Sequence, residues 1–215
     1  MYQARGNILF LILLAVVLFA ALSYAVTSSM RGGGKDAGKE SAQSQAADIL
    51  NRMALLESTV SRLRMTGGCK DTEIQLINAN PNTPADGHCK VFDPAGGNIS
   101  VSMVTPPTSY VTSGGTSITY GASVVYGGSS TSNPSLIATY PAGTGILKAE
   151  ICQAINDQLG IAAPPPSVDI HEFDTFTGDY TWVGSRIIPA SMPRLACIAD
   201  CCAGYLKVYQ VLIAR

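Results

Sequence analysis

Residues 8–26 read ILFLILLAVVLFAALSYAV, a run that contains no charged residue, glycine or proline. A helix needs about 20 such residues to cross a hydrocarbon core. The run also fits a secretory signal, because Arg5 precedes it and Ser23-Tyr24-Ala25 forms an acceptable cleavage site. The pattern predicts an apolar helix over residues 7–30, acting as a signal, an anchor or a packing surface.

The sequence that follows predicts a second, amphipathic helical part. Residues 31–35 (RGGGK) form a glycine hinge, and residues 36–66 are rich in Ala, Gln, Leu, Arg and Glu. Apolar residues recur there at spacings of four and three, which places them along one side of a helix: Ala42, Ala46, Ile49, Met53, Leu56, Val60 and Leu63. We call these seven residues the stripe. The stripe indicates packing on the chain's own domain, with a free coiled coil as the alternative.

Residues 67–215, which we call the head, have a different composition. Ser, Thr, Gly, Asn and Pro are frequent up to about residue 140, between short β-prone runs. We expect strands over residues 73–77, 99–104, 109–112, 117–120, 123–126, 136–140, 181–188 and 205–213, and a helix over residues 146–159. The predicted class is therefore α+β, with a long N-terminal helix and a β-rich head.

Composition excludes some functions and indicates a compartment. The 14 Lys and Arg residues are scattered and the formal net charge is -1, which gives no basic surface for nucleic acid. Charged residues are only 13% of the chain. Six cysteines behind an apolar segment favour export to an oxidising compartment and disulfide formation.

The six cysteines allow fifteen pairings. The simplest pairing joins Cys69 to Cys89 and joins Cys152 to one of Cys197, Cys201 and Cys202. A bond between adjacent Cys201 and Cys202 would be strained, which favours Cys197–Cys201 or Cys197–Cys202 for the remaining pair. A zinc site at these last three cysteines is the alternative, but the spacing lacks paired C-x-x-C motifs.

Residues suited to catalysis are few. The two histidines are His88, beside Cys89, and His171, in the acidic stretch 169–174 (DIHEFD). That stretch could bind Ca²⁺ but lacks the twelve-residue loop pattern. Motifs of hydrolases, phosphate-binding loops and dinucleotide-binding proteins are absent from the sequence. Asn98-Ile99-Ser100 matches the glycosylation sequon, which is common by chance. We predict no enzyme activity, cofactor or metal.

The order of these elements resembles that of type IV pilins and of the pseudopilins of type II secretion systems. The resemblance implies a leader over residues 1–6, cleaved between Gly6 and Asn7, and a C-terminal antiparallel sheet closed by a disulfide. It implies a filament core formed by Leu11, Leu14, Val17, Leu18 and Leu22. Residues 152–161 (CQAINDQLGI) are also similar to a helix of uncharacterised bacterial pilin-like proteins. The sequence departs from the family at Leu11, where Glu is usual, and at Asn7, where Phe or Met is usual.

The resemblance implies a structural subunit of a type IV pilus-like or pseudopilus filament. Such a subunit is anchored in the bacterial inner membrane and then joins copies of itself through the pilus or secretion assembly machinery, in the periplasm or at the cell surface. The alternative is a secreted or membrane-anchored periplasmic protein whose β-rich domain serves binding or adhesion.

Overall fold

The computed structural model describes residues 8–115, 117–126, 135–162, 166–168, 187–188, 191–200 and 205–214. The chain divides into two compact units, Met1–Ser41 and Ala42–Arg215. A helix, α1, spans Ile8–Met65. The predicted class, α+β with a long N-terminal helix and a β-rich head, is confirmed. The expected antiparallel sheet is present, except that its two short edge strands pair parallel.

The described residues of the first unit all belong to the N-terminal part of α1. Residues 31–35 are helical here, although their three glycines allow other conformations, and a hinge at this point stays a prediction. Within the described part of the chain, no helix meets the combined length and hydropathy expected of a membrane span.

The second unit contains the rest of α1 and the head. Its helical elements are α2 (Val101–Val104), α3 (Ala149–Gln158) and the 3-10 turns Asp71–Glu73 and Thr108–Tyr110. Its strands are β1 (Val111–Ser113), β2 (Thr119–Tyr126), β3 (Ser135–Tyr140), β4 (Ile146–Leu147), β5 (Ser167–Val168), β6 (Ile187–Ile188), β7 (Leu195–Asp200) and β8 (Leu206–Ile213).

The main sheet has the strand order β5-β7-β8-β3-β2-β6 among the described residues. The four inner strands pair antiparallel, with Cys197 opposite Val208 and Thr139 opposite Tyr209, and the two-residue edge strands pair parallel. Strand β8 is buried on both faces, which agrees with a sequence that is apolar except at Lys207 and Gln210. The strands β1 and β4 form a separate antiparallel pair.

The stripe of α1 forms the core together with one face of the sheet. All seven stripe residues are buried, in one cluster with Leu136, Tyr140, Val208 and Leu212 of the sheet and Ile151 and Ile155 of α3. The opposite face of the sheet has its own cluster, which includes Ile137, Ile198 and Val211. The expectation that the stripe packs on the chain's own domain is confirmed.

Several local predictions differ from the structure in whole or in part. Residues 99–104 do not form the expected strand, since Val101–Val104 is helical. Residues 73–77 do not form the expected strand either, and only Gln75 among them makes a β-bridge, to Lys90. The runs 117–120 and 123–126 belong largely to one strand, β2, and the helix expected over 146–159 begins at Ala149. Strand β7 was not anticipated. Of the strand expected over 181–188, the described residues contain only Ile187–Ile188.

Candidate functional site

The apolar segment of α1, residues 8–26, is the candidate functional surface. Its described side chains are exposed at every position from Ile12 to Val26, so no side of the helix is covered. The large apolar ones are Phe10, Ile12, Leu13, Leu14, Val16, Val17, Leu18, Phe19, Leu22, Tyr24 and Val26. A helix that is apolar on all sides normally lies inside a larger protein or a membrane.

Burial of this surface would release considerable free energy. Covering a large apolar side chain contributes about 1.5–3 kcal/mol, and Phe19 and Leu22 are 75% and 64% exposed. The side chains of Ile12, Ala15, Val16, Phe19 and Ala20 also border a shallow groove, since the alanines are small. What this surface can do is pack against another apolar surface.

The residues expected to form a filament core lie on this segment. Leu14, Val17, Leu18 and Leu22 are 46%, 60%, 55% and 64% exposed, respectively, and are available for contact. The side chain of Leu11, and the expected cleavage residues Gly6 and Asn7, lie outside the described part of the chain.

Arg52 of α1 forms several hydrogen bonds to the head. The Nε atom of Arg52 lies 2.8 Å from the Asp48 carboxylate, and its Nη1 donates to the carbonyl oxygens of Ser102, Met103 and Thr105, each at 3.1 Å. These bonds hold the turn of α2 against α1. Sequence reasoning missed this role because the arginine is off the stripe and nothing in its neighbourhood indicates its distant partners.

Asp48 also binds the head. It accepts a hydrogen bond of 3.1 Å from the Tyr110 hydroxyl. Burial and the adjacent Asp48 carboxylate raise the pKa of Tyr110, because both disfavour the phenolate. The Tyr110 hydroxyl therefore stays a donor at neutral pH.

Two disulfides close the described part of the head. Cys69 is bonded to Cys89, as predicted, and Cys152 of α3 is bonded to Cys197 of β7. The preference for Cys197–Cys201 or Cys197–Cys202 was wrong, because β7 places Cys197 beside α3. Cys201 and Cys202 lie outside the described residues.

A buried asparagine accompanies the second disulfide. The Asn156 side chain donates from Nδ2 to the carbonyl of Cys197 at 2.8 Å and accepts from its N–H at Oδ1 at 2.9 Å. On this edge of β7, the short strand β5 pairs only with Ala199 and Asp200. The Asn156 carboxamide thus takes the place of a neighbouring strand, a role with no signal in the sequence pattern.

The region around the first disulfide contains the only group of three potential metal ligands among the described residues: Cys69, His88 and Cys89. While the two sulfurs are bonded to each other, neither is a thiolate. The Nδ1 atom of His88 lies 2.5 Å from Oδ1 of Asp86, and this hydrogen bond lowers the pKa of the Asp86 carboxyl. His171 and the acidic residues 169–174 lie outside the described part of the chain.

Comparison of the chain with protein-family models, with curated proteins and with solved structures finds no match in any of the three.

Proposed function

We propose that this protein is a structural subunit of a pilin-like filament, held in the bacterial inner membrane by its N-terminal helix before assembly. The observation that supports the proposal most is the uncharged segment of α1, whose described side chains are exposed from Ile12 to Val26. Such a surface is unstable in water and requires an apolar partner.

The proposed mechanism is packing, without chemistry at a site. Lipid would cover the apolar segment before assembly, and the same segments of sister copies would cover it afterwards, since packed helices replace lipid contacts at little penalty. The stripe, whose residues from Ala42 to Leu63 are buried in the head's core, belongs to the same helix. Assembly through the apolar segment would therefore carry the head into the filament.

The proposed partners are further copies of this chain and the pilus or secretion machinery that inserts them. The filament is expected in the periplasm or at the cell surface, where an oxidising environment supports the Cys69–Cys89 and Cys152–Cys197 bonds.

Replacing Leu14 with aspartate tests the proposal. A carboxylate in the middle of an apolar helix costs about 3 kcal/mol on insertion scales, which weakens each subunit's incorporation by roughly a hundredfold. We expect no filaments in sheared cell-surface material viewed by electron microscopy. The matched control is Ser44→Asp, which adds the same charge at an exposed position of the same helix and should leave assembly intact.

Filaments of normal length from the Leu14→Asp variant would refute the packing mechanism. Mass spectrometry of the mature N-terminus then separates the proposal from the alternative of a binding protein. A start at Asn7 agrees with a processed pilin-like subunit, a start at Val26 with a secreted protein, and a start at Met1 with an uncut anchor.

A further inference from the structure

The disulfide Cys69–Cys89 lies in a set of side chains that matches a metal site. The two sulfurs and a ring nitrogen of His88 all lie within 4.8 Å of one another. Cys69 and Cys89 are 5% and 0% exposed, while the side chain of His88 is 38% exposed. A metal bound here would be shielded by protein on the sulfur side and open to water on the histidine side.

His88 has the carboxylate neighbour that histidine ligands of metals commonly have. One ring nitrogen of His88 is held by the Asp86 carboxylate, which also accepts the backbone N–H of His88 at 3.3 Å. A carboxylate behind a histidine fixes the orientation of the ring and leaves its second nitrogen as a lone-pair donor. The Asp86–His88 pair is otherwise an exposed loop interaction that contributes little to stability.

Backbone hydrogen bonds hold each of the two cysteines independently of their S–S bond. Gln75 donates its N–H to the carbonyl of Cys89 at 3.0 Å, and Val91 donates to the carbonyl of Gln75 at 2.9 Å. On the other side, the N–H of Cys69 bonds to the carbonyl of Leu63 at the end of α1, at 3.1 Å. These hydrogen bonds do not depend on the S–S bond, so they favour retention of both cysteine positions when that bond is broken.

We propose that reduction of the Cys69–Cys89 disulfide converts this cluster into a binding site for a divalent metal of the zinc type. Two thiolates and one imidazole supply three ligands, and water supplies the fourth. With Zn–S bonds of about 2.3 Å, tetrahedral ligands lie roughly 3.8 Å apart. Rotation of the two cysteine side chains would bring the sulfurs to that separation once their bond is broken. The loop would then be closed by either a disulfide or a metal, depending on the redox state.

The chemistry balances with a phosphine as the reductant. The phosphine supplies two electrons that break the S–S bond, and it takes the oxygen of one water to become a phosphine oxide. The two protons of that water go to the two sulfurs. The metal then displaces these two protons as it binds the thiolates. In a cell, a dithiol would supply the electrons and become a disulfide itself.

Cobalt(II) serves as the spectroscopic probe for zinc. The full-length chain, in a non-ionic detergent, is reduced with a phosphine and titrated with Co²⁺ alone. We expect thiolate-to-cobalt charge-transfer absorption and the visible bands of a tetrahedral ion, with displacement of the cobalt by zinc. The oxidised chain should show neither absorption.

Matched variants identify the ligands. We expect His88→Gln to lower cobalt affinity at least tenfold and to shift the visible bands, while His171→Gln changes neither. Asp86→Asn should weaken binding 10- to 100-fold, as loss of a supporting carboxylate does elsewhere. Its control, Asp157→Asn at an exposed position of α3, should have no effect.

Three results would overturn the inference. The first is a reduced chain without thiolate-to-cobalt absorption, including the case in which circular dichroism shows that reduction has unfolded the head. The second is a spectrum and affinity unchanged by His88→Gln. The third is the same signal in a Cys69→Ser, Cys89→Ser double variant, which would assign the cobalt to the remaining cysteines. None of these results bears on filament assembly.

Discussion

Replacing Asn156 with alanine should destabilise the head far more than the loss of one polar side chain suggests. Asn156 is 2% exposed and pairs with both the N–H and the carbonyl of Cys197 on the edge of β7. Further along the same edge, the N–H of Ala199 is taken by the carbonyl of Pro166. Alanine at position 156 therefore leaves two buried main-chain groups of β7 without a partner.

The size of the effect follows from these two groups. A buried donor or acceptor left unpaired costs about 1–3 kcal/mol, and two of them cost about 2–6 kcal/mol if no water enters. Partial relaxation favours the lower half of that range, so we expect a loss of about 3 kcal/mol. Asn156→Asp should be at least as harmful, because it keeps the acceptor for the N–H of Cys197 but places a carboxylate against the carbonyl oxygen.

The measurement is guanidinium unfolding of the full-length chain in non-ionic detergent, followed by circular dichroism. Gln153→Ala is the control, since Gln153 is an exposed residue of the same helix and should change the free energy of unfolding by less than about 0.5 kcal/mol. If Asn156→Ala and Gln153→Ala proved equally stable, the reasoning about the β7 edge would be refuted.

Two further predictions concern the head. Replacing both Cys152 and Cys197 with serine should lower the free energy of unfolding by about 4 kcal/mol, and replacing both Cys69 and Cys89 with serine should lower it by about 3 kcal/mol. The first effect is larger because the bonded cysteines are 45 positions apart in the sequence, compared with 20 for the second pair. Guanidinium unfolding that shows the reverse order would contradict this. Burial raises the pKa of Tyr140 to about 12, from its ordinary value of 10.0. The unfolded chain therefore loses the phenolic proton first, so this contribution to stability is complete below pH 10 and declines as the pH rises towards 12. Tyr140→Phe should flatten this decline in unfolding experiments across alkaline pH, and an unchanged slope would speak against it.

The helix and its stripe could be predicted because their signal is local. Each of the seven stripe residues, from Ala42 to Leu63, is buried as the spacing indicates. The pair Cys69–Cys89 was also accessible, since its members flank one turn-rich loop and are separated by only 20 positions. In both cases, residues that are near one another in the sequence are also near one another in the fold.

The remaining features depend on distant contacts. Residues 101–104 have the composition of a strand, yet they form a helical turn whose carbonyls, at Ser102 and Met103, are held by Arg52 fifty positions earlier. Strand β7 directly follows a proline-containing segment, and its place is fixed by β8 and by Asn156. The pairing of Cys152 with Cys197 could not be chosen without knowing that β7 lies beside α3.

The strand order has a consequence for how the chain matures during synthesis. Strand β8 lies between β7 and β3, yet it follows both of them in the sequence. During synthesis, β3 and β7 are made before the strand that pairs with both of them. The sheet can form completely only when residues 206–213 have left the ribosome. The main sheet of the head thus remains open until β8 is available, so the two halves that flank β8 cannot join before then.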